Sequence, residues 1–282
     1  MKRILFIGGG KMMQAISGGL LARGVEAASL AAVEPEAAAA HALQQLRIEV
    51  FPAGVEAAPR LNEFGTMVLA VKPQVLRAAL MPFAGHLAGQ LVISIAAGVR
   101  TADLARWLDG AAANTQPTQI VRAMPNTPAL IQAGITGLFA GTGVSQTSRD
   151  KAESMLAAVG KTTWFSEESM LDAVTAVSGS GPAYVFYFIE ALEAAALEMG
   201  FTPEAARQFA LETFRGAALL AATSADAPAT LRANVTSRNG TTEAAIAEFD
   251  RAALKSHFIG GVRAAAARAV QLGDELSAGP AC

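Results

Sequence analysis

Three stretches of the chain carry residues whose types and spacing suit them to binding or reaction. Residues 3–13 read Arg-Ile-Leu-Phe-Ile-Gly-Gly-Gly-Lys-Met-Met, so an apolar run ends in Gly8-Gly9-Gly10 and a helical pattern follows at once. Glycine lacks a Cβ and accepts positive φ, which lets the backbone close on a ligand. A helix starting there turns free N–H groups and the positive end of its dipole toward a phosphate. Residues 236–243 read Thr-Ser-Arg-Asn-Gly-Thr-Thr-Glu. Thr241 and Thr242 would stand in the first turn of a helix behind Gly240. Hydroxyls and N–H groups there form a cradle for a carboxylate, although the same residue types also serve as ordinary caps. In Arg122-Ala123-Met124-Pro125-Asn126-Thr127-Pro128 two prolines stiffen a loop around Asn126. Asn126 offers both a donor and an acceptor. A plain proline-rich turn would read the same way.

The glycine turn is an imperfect dinucleotide fingerprint. Gly8 and Gly10 fit it, but Met13 takes the third position, where a small residue normally lets helix and strand pack closely. Its place between a strand and a helix is the context the motif requires. Glu34 ends the second strand, where an acidic side chain bonds the adenosine ribose hydroxyls and repels the 2′-phosphate of NADP. No arginine lies in 29–40 to receive that phosphate. A surface glutamate opening a helix is the alternative. Lys72 follows a buried strand at its carboxyl end, the edge where open α/β sheets bind ligands; a solvated lysine would look alike. Ser178-Gly179-Ser180-Gly181-Pro182 breaks an apolar helical region with small residues that permit tight packing or simply join two helices.

The elements that must position these residues follow from periodicity. Met12, Ile16 and Leu20 recur at helical spacing, Gly18 and Gly19 would let that helix approach the sheet, and Gly24 suits its C-terminal cap. Short apolar runs at 28–33, 66–71, 91–95, 119–123 and 135–140 read as strands, with helices at 36–46, after Pro73 and from Thr101. Alternating strands and helices with short connections define a doubly wound sheet. From about Ser166 the strand-like runs cease. Segments 170–177, 183–199, 203–223, 228–234, 241–249 and 252–273 read as helices. The second of these is apolar on every side and must be buried, in a domain core or against another subunit. The fold class is therefore α/β: an N-terminal Rossmann-like, doubly wound, mainly parallel sheet over 1–163, then an all-helical domain over 164–276, with 277–282 expected as a disordered tail.

Composition narrows the function classes. Apolar residues make up 52% of the chain and the formal net charge is −2, which gives no electrostatic reason to expect nucleic acid or an anionic membrane as a partner. Cys282 is the only cysteine, so an internal disulfide and a cysteine-rich metal site are excluded. Lys2 and Arg3 precede an apolar run as in a signal peptide, but the glycines and Lys11 cut that run short. The long uncharged stretches at 123–148 and 173–189 are interrupted by Pro, Gly and polar residues. A soluble cytoplasmic protein without a metal is expected.

Taken together, the glycine turn, Val71-Lys72-Pro73-Gln74, Ser94-Ile95-Ala96-Ala97-Gly98-Val99, and the motifs at 122–128, 178–184 and 236–243 resemble pyrroline-5-carboxylate reductase, in order and spacing, over nearly the whole chain. The resemblance implies NADPH- or NADH-dependent reduction of 1-pyrroline-5-carboxylate to L-proline, the last step of proline synthesis. It implies a helical domain that dimerises by intertwining, often with dimers assembled into a larger ring. Gly8, Gly10, Lys11 and Met12 would line the pyrophosphate, with Ala70, Lys72 and Asn126 along the rest of the cofactor. Gly240, Thr241 and Thr242 would hold the substrate, with Ser237 and Asn239 beside them and Thr242 at the ring nitrogen. Arg238-Asn239 departs from the family's usual Pro-Gly, and Met13 from its usual Ala or Gly. A β-hydroxyacid dehydrogenase shares the two-domain plan, but such enzymes use a lysine in the helical half, and none lies between Lys161 and Lys255. A non-catalytic dinucleotide-binding protein would leave the Asn126 and Thr242 motifs without a role.

Overall fold

The computed structural model describes residues 2–87, 89–109 and 118–278. Strands β1 (Arg3–Ile7), β2 (Leu30–Val33), β3 (Glu49–Phe51), β4 (Phe64–Leu69), β5 (Leu91–Ser94), β6 (Gln119–Met124), β7 (Gly134–Ala140) and β8 (Gly160–Phe165) form one sheet, ordered β3-β2-β1-β4-β5-β6-β7-β8. The first six are parallel; β7 runs antiparallel to β6, and β8 parallel to β7. The helices of this unit are α1 (Lys11–Ala22), α2 (Ala37–Gln45), α3 (Gly54–Ala57), α4 (Pro73–Leu80), α5 (Thr101–Asp109), α6 (Gln146–Leu156) and α7 (Met170–Val174). The expected mainly parallel, doubly wound sheet is present.

Both faces of the sheet are covered, and the side-chain period of two shows it. Ile4 and Phe6 of β1 join a core with Met13, Ile16 and Leu20 of α1 and Met155 and Leu156 of α6. Leu5 and Ile7 face the opposite core with Leu76 and Leu80 of α4 and Leu104 and Leu108 of α5. A strand buried on both faces favours apolar residues at nearly every position, which is why β1, β4 and β5 read as mainly apolar runs, with Thr66 and Ser94 as buried polar exceptions. β3 and β8 escaped that reading. They are the two edge strands, and Gly-Lys-Thr-Thr-Trp-Phe of β8 alternates between partly covered and exposed positions.

Close backbone approach explains two glycines. A Cβ on Gly19 would lie 2.6 Å from the Ala158 carbonyl oxygen, so at Gly19 the close approach is to the turn before β8; a Cβ on Gly18 would meet nothing. Gly160 (φ +150°) opposes Gly134 in the β7–β8 register, and a Cβ there would lie 1.9 Å from the Gly134 oxygen.

An ion-pair network closes the β3 end. Arg60 and Arg3 both bridge Glu49 and Glu63. Arg60, seconded by Arg3, holds the Glu63 carboxyl down to about 2, well below the usual carboxylate range. A depressed folded-state pKa stabilises fully above the unfolded value and is lost as pH falls through the folded one. Urea midpoints should therefore decline between pH 4.5 and 2, and Glu63→Gln should flatten part of that decline. Added salt should shrink the difference, because these groups are solvated.

The chain forms two compact units, residues up to Ser180 with those from Ala265 onward, and Gly181–Ala264. The expected boundary at 163/164 falls inside β8. A π-helical turn, Thr175–Gly179, precedes the second unit. That unit holds α8 (Gly181–Glu198), α9 (Pro203–Thr223), α10 (Pro228–Asn234), α11 (Thr241–Arg251) and the first part of α12 (Leu254–Ala278). The end of α12 belongs to the first unit: Gly273 and Leu276 pack on Gly98, whose φ is +79°, and the Ser277 hydroxyl donates to Asp103. The helix thus runs beyond residue 273, and Ser277 and Ala278, expected in a disordered tail, are helical. The rest of that expected tail, 279–282, lies outside the described residues.

Within the helical unit Tyr184 and Phe188 of α8 meet the Phe258 ring at 5.8 and 5.7 Å. Yet no residue of α8 is fully buried, and Phe186 and Tyr187 are 59% and 69% exposed. Of the two ways expected for covering this apolar helix, the core of its own domain is not the one realised in the single chain.

Candidate functional site

Six parallel strands bring their carboxyl ends to one edge of the sheet, so the residues that follow them share that edge. Gly8–Gly10 follow β1, Glu34 follows β2, Ala70 and Lys72 follow β4, and Asn126 follows β6. The strand order reverses between β1 and β4, the switch point where open α/β sheets bind their ligands.

The glycine turn is built by close contacts on one side and openness on the other. Gly8 has φ +101°, and a Cβ there would lie 2.7 Å from Val71 and 3.0 Å from the Ala70 carbonyl. Its N–H donates to the Val33 carbonyl at 2.9 Å, while Ala70 N–H donates to Ile7. Gly8 must therefore be glycine for the fold alone. Gly10 differs. Its backbone is extended (φ −66°, ψ 179°), and a Cβ there would meet nothing within 4 Å. No side chain caps α1, and its first turn carries no acid. The space over Gly10 and the bare N–H groups of α1 together match a pyrophosphate: a cradle that a side chain would fill, at a positive helix end. Lys11 is exposed and Met12 half-buried at the same helix start. Met13 is fully buried in the core beneath. The fingerprint's small third residue is thus replaced by a side chain that fills the gap rather than blocks the turn.

Glu34 turns back onto this loop. Its Oε2 accepts the Gly9 N–H at 2.6 Å, and its Oε1 accepts the Glu36 N–H at 2.8 Å. Glu36, which the sequence patterns did not single out, is the N-cap of α2 and accepts from Ala38 and Ala39. Glutamate is not among the preferred N-cap residues, so no capping signal marks it. Lys72 is exposed at the N-cap of α4, with Pro73 at the first helical position. Asn126 is held in its loop by accepting the Ile135 N–H at 3.0 Å. Its strand is anchored by Arg122, whose side chain is 4% exposed and pairs with Glu168 at 2.8 Å. Glu168 also accepts from the Thr101 N–H and hydroxyl, so one carboxylate ties the end of β6 to the start of α5. Nothing in the sequence pattern pointed to Glu168, since its partners lie 46 and 67 residues away.

In the helical unit Gly240 is the N-cap of α11 with extended backbone, and no side chain caps the helix. A Cβ on Gly240 would lie 2.6 Å from the Ser237 hydroxyl, so Ser237 and Gly240 are brought together. Asn239 sits at φ +58°, a conformation that Asn tolerates better than most residues, where the family's glycine would be unstrained. Its N–H donates to Glu243 at 2.6 Å, which ties the loop back onto the first turn of α11. The Thr241 and Thr242 hydroxyls have no hydrogen-bond partner among the described residues, and Arg238 is exposed. The result is a small rigid loop leading into uncapped N–H groups and two free hydroxyls.

The strand order, switch point and glycine cradle define the sheet unit as a dinucleotide-binding domain of the oxidoreductase type. Residues 3–98 match the family model for NADP oxidoreductases, coenzyme F420-dependent, and residues 168–272 match that for pyrroline-5-carboxylate reductase dimerisation. A pyrroline-5-carboxylate reductase of Pseudomonas aeruginosa is 41% identical over 97% of this chain and 98% of its own. One from Haemophilus influenzae is 39% identical over 88% and 89%. The solved structure of a pyrroline-5-carboxylate reductase from Coxiella burnetii superposes with a TM-score of 0.86 at 37% identity, covering 96% of this chain and 98% of that one. The chain belongs to the pyrroline-5-carboxylate reductase family. The dimerisation match gives the open apolar surface of α8 its meaning, as part of a homo-oligomer. No helix among the described residues is long and apolar enough to cross a membrane.

Proposed function

We infer that this protein reduces 1-pyrroline-5-carboxylate to L-proline with NADH or NADPH. The observation that carries the reading is the start of α11: uncapped N–H groups and two free threonine hydroxyls behind a glycine, in a member of this family. The substrate is a cyclic imine bearing a carboxylate. The N–H groups of Thr241 and Thr242 hold that carboxylate, with Ser237, Asn239 and Gly240 shaping the loop against the ring. The Thr242 hydroxyl hydrogen-bonds the ring nitrogen and fixes the direction of the C=N bond. Threonine is a weak acid, so the proton that activates the imine reaches the nitrogen through water, with Thr242 setting its path. Bound NAD(P)H supplies the hydride. Gly8, Gly10, Lys11 and Met12 would hold its pyrophosphate, and Ala70, Lys72 and Asn126 would flank the remainder. The protein's contribution is position and electrostatic field rather than covalent chemistry. The proposed assembly is an intertwined homodimer, with further association of dimers into a ring, and the proposed compartment is the cytoplasm.

Mixing purified protein with pyrroline-5-carboxylate and reduced cofactor, and following cofactor absorbance, tests the reading; no turnover with either nucleotide overturns it. Thr242→Ala should lower kcat by about 10- to 100-fold, as for loss of one hydrogen bond to a charged group. Nucleotide affinity should be unchanged, and Thr242→Ser should recover most of the rate. An unaltered kcat for the alanine variant would remove Thr242 from the mechanism.

A further inference from the structure

Two carboxylates stand where an adenosine 2′-phosphate would have to be received. Glu34, at the carboxyl end of β2, is pinned by the Gly9 N–H at 2.6 Å and the Glu36 N–H at 2.8 Å. The start of α2 is the nearby feature that would otherwise attract an anion, through its free N–H groups. Here Glu36 already accepts from Ala38 and Ala39 at 3.0 and 2.9 Å, and Glu34 takes the N–H of Glu36 itself. The helix start is thus filled by the protein's own negative charge. Residues 29–40 contain neither Lys nor Arg, and neither glutamate forms an ion pair among the described residues. His41, the next titratable side chain along α2, is engaged with Gln45. Because both Glu34 oxygens are held, the carboxylate cannot easily swing away from an incoming phosphate. The same fixed oxygens are well placed to accept from ribose hydroxyls.

We infer that this chain is an NADH-selective member of its family, with Glu34 accepting from the adenosine ribose and Glu34 and Glu36 together excluding the 2′-phosphate of NADPH. The inference rests on the cofactor reading given above but not on the identity of the imine. It follows from the chemistry of this one edge, although the family model matching residues 3–98 is that of NADP oxidoreductases.

The test is direct binding of NADH and NADPH to the purified full-length protein, by titration calorimetry or by the fluorescence of the bound dihydronicotinamide, beside kcat/KM for each. NADH should bind at least about tenfold more tightly, as expected for uncompensated like charges at close range. Repulsion is screened by salt, so NADPH binding should lose less with added salt than a site built on cations would, and the gap between the two cofactors should narrow as the Debye length falls from about 30 Å at 0.01 M to about 3 Å at 1 M. A cationic 2′-phosphate site would respond with the opposite sign. Glu34→Gln keeps an acceptor for the Gly9 N–H but removes the charge, and should compress the NADH:NADPH ratio by at least about threefold. NADPH binding as tight as NADH, or tighter, overturns the inference without needing any variant. An unchanged ratio in Glu34→Gln overturns the assignment to Glu34. Failure of both nucleotides to bind overturns the cofactor reading and this inference with it. Selective NADH binding without reduction of pyrroline-5-carboxylate supports the inference while overturning the proposed substrate.

Discussion

Gly10→Val should abolish working affinity for the reduced cofactor, raising its Kd by at least about a hundredfold, while leaving a folded protein. The two halves of that expectation come from the same observation. A Cβ at Gly10 would meet no atom within 4 Å, so the fold leaves room where a side chain would start. The space it would enter is the one over the bare start of α1, where the pyrophosphate is proposed to lie. Gly10 is also the helix N-cap, and valine is a poor cap, so a loss of about 1 kcal/mol is expected. For a chain of this size that corresponds to a fall in Tm of about 2–4 °C. Gly18→Ala is the matching control. It lies within α1, its Cβ would also meet nothing, and it should stabilise slightly without touching binding. Calorimetric binding of NADH beside thermal melts of the three proteins decides the matter. Retained affinity in Gly10→Val would place the pyrophosphate elsewhere.

Gly160→Ala should fail for the opposite reason, losing more than about 4 kcal/mol of stability and most of the soluble yield. Its Cβ would lie 1.9 Å from the oxygen and 2.4 Å from the carbonyl carbon of Gly134. These are backbone atoms paired across the β7–β8 register, with no flexible side chain to move aside. The φ of +150° adds strain for any residue with a side chain. Urea unfolding is the measurement. A variant that folds with a loss under about 1 kcal/mol would mean that β7 and β8 pair in another register.

The two glycines also show what was legible in the sequence. Gly10 announces itself because it sits in a glycine motif, between a strand and a helix. Gly160 gives no such sign, since its constraint comes from a strand 26 residues away in sequence. The same division runs through the fold. β1, β4 and β5 are covered on both faces and so are mainly apolar, whereas β8 is a partly exposed edge that keeps several polar residues. Glu34 could be placed by its distance from the glycine turn. Glu36 and Glu168 could not, because the first is an untypical cap and the second meets Arg122 and Thr101 only after the sheet has formed. That Thr241 and Thr242 open a helix behind Gly240 was readable from residue type and spacing. The left-handed Asn239 and the contact between Ser237 and Gly240 are properties of the folded loop.

The path of α12 has a consequence for dissecting this protein. The chain leaves the first unit after Ser180 and rejoins it from Ala265, where Gly273 and Leu276 seat on Gly98 and Ser277 reaches Asp103. The helical unit is therefore an insertion, tethered at both ends, and not an appendage. Cutting the gene at codon 180 would yield a fragment stripped of its closing helix. A faithful nucleotide-binding module would instead be a splice, joining the two distant segments through a short designed linker.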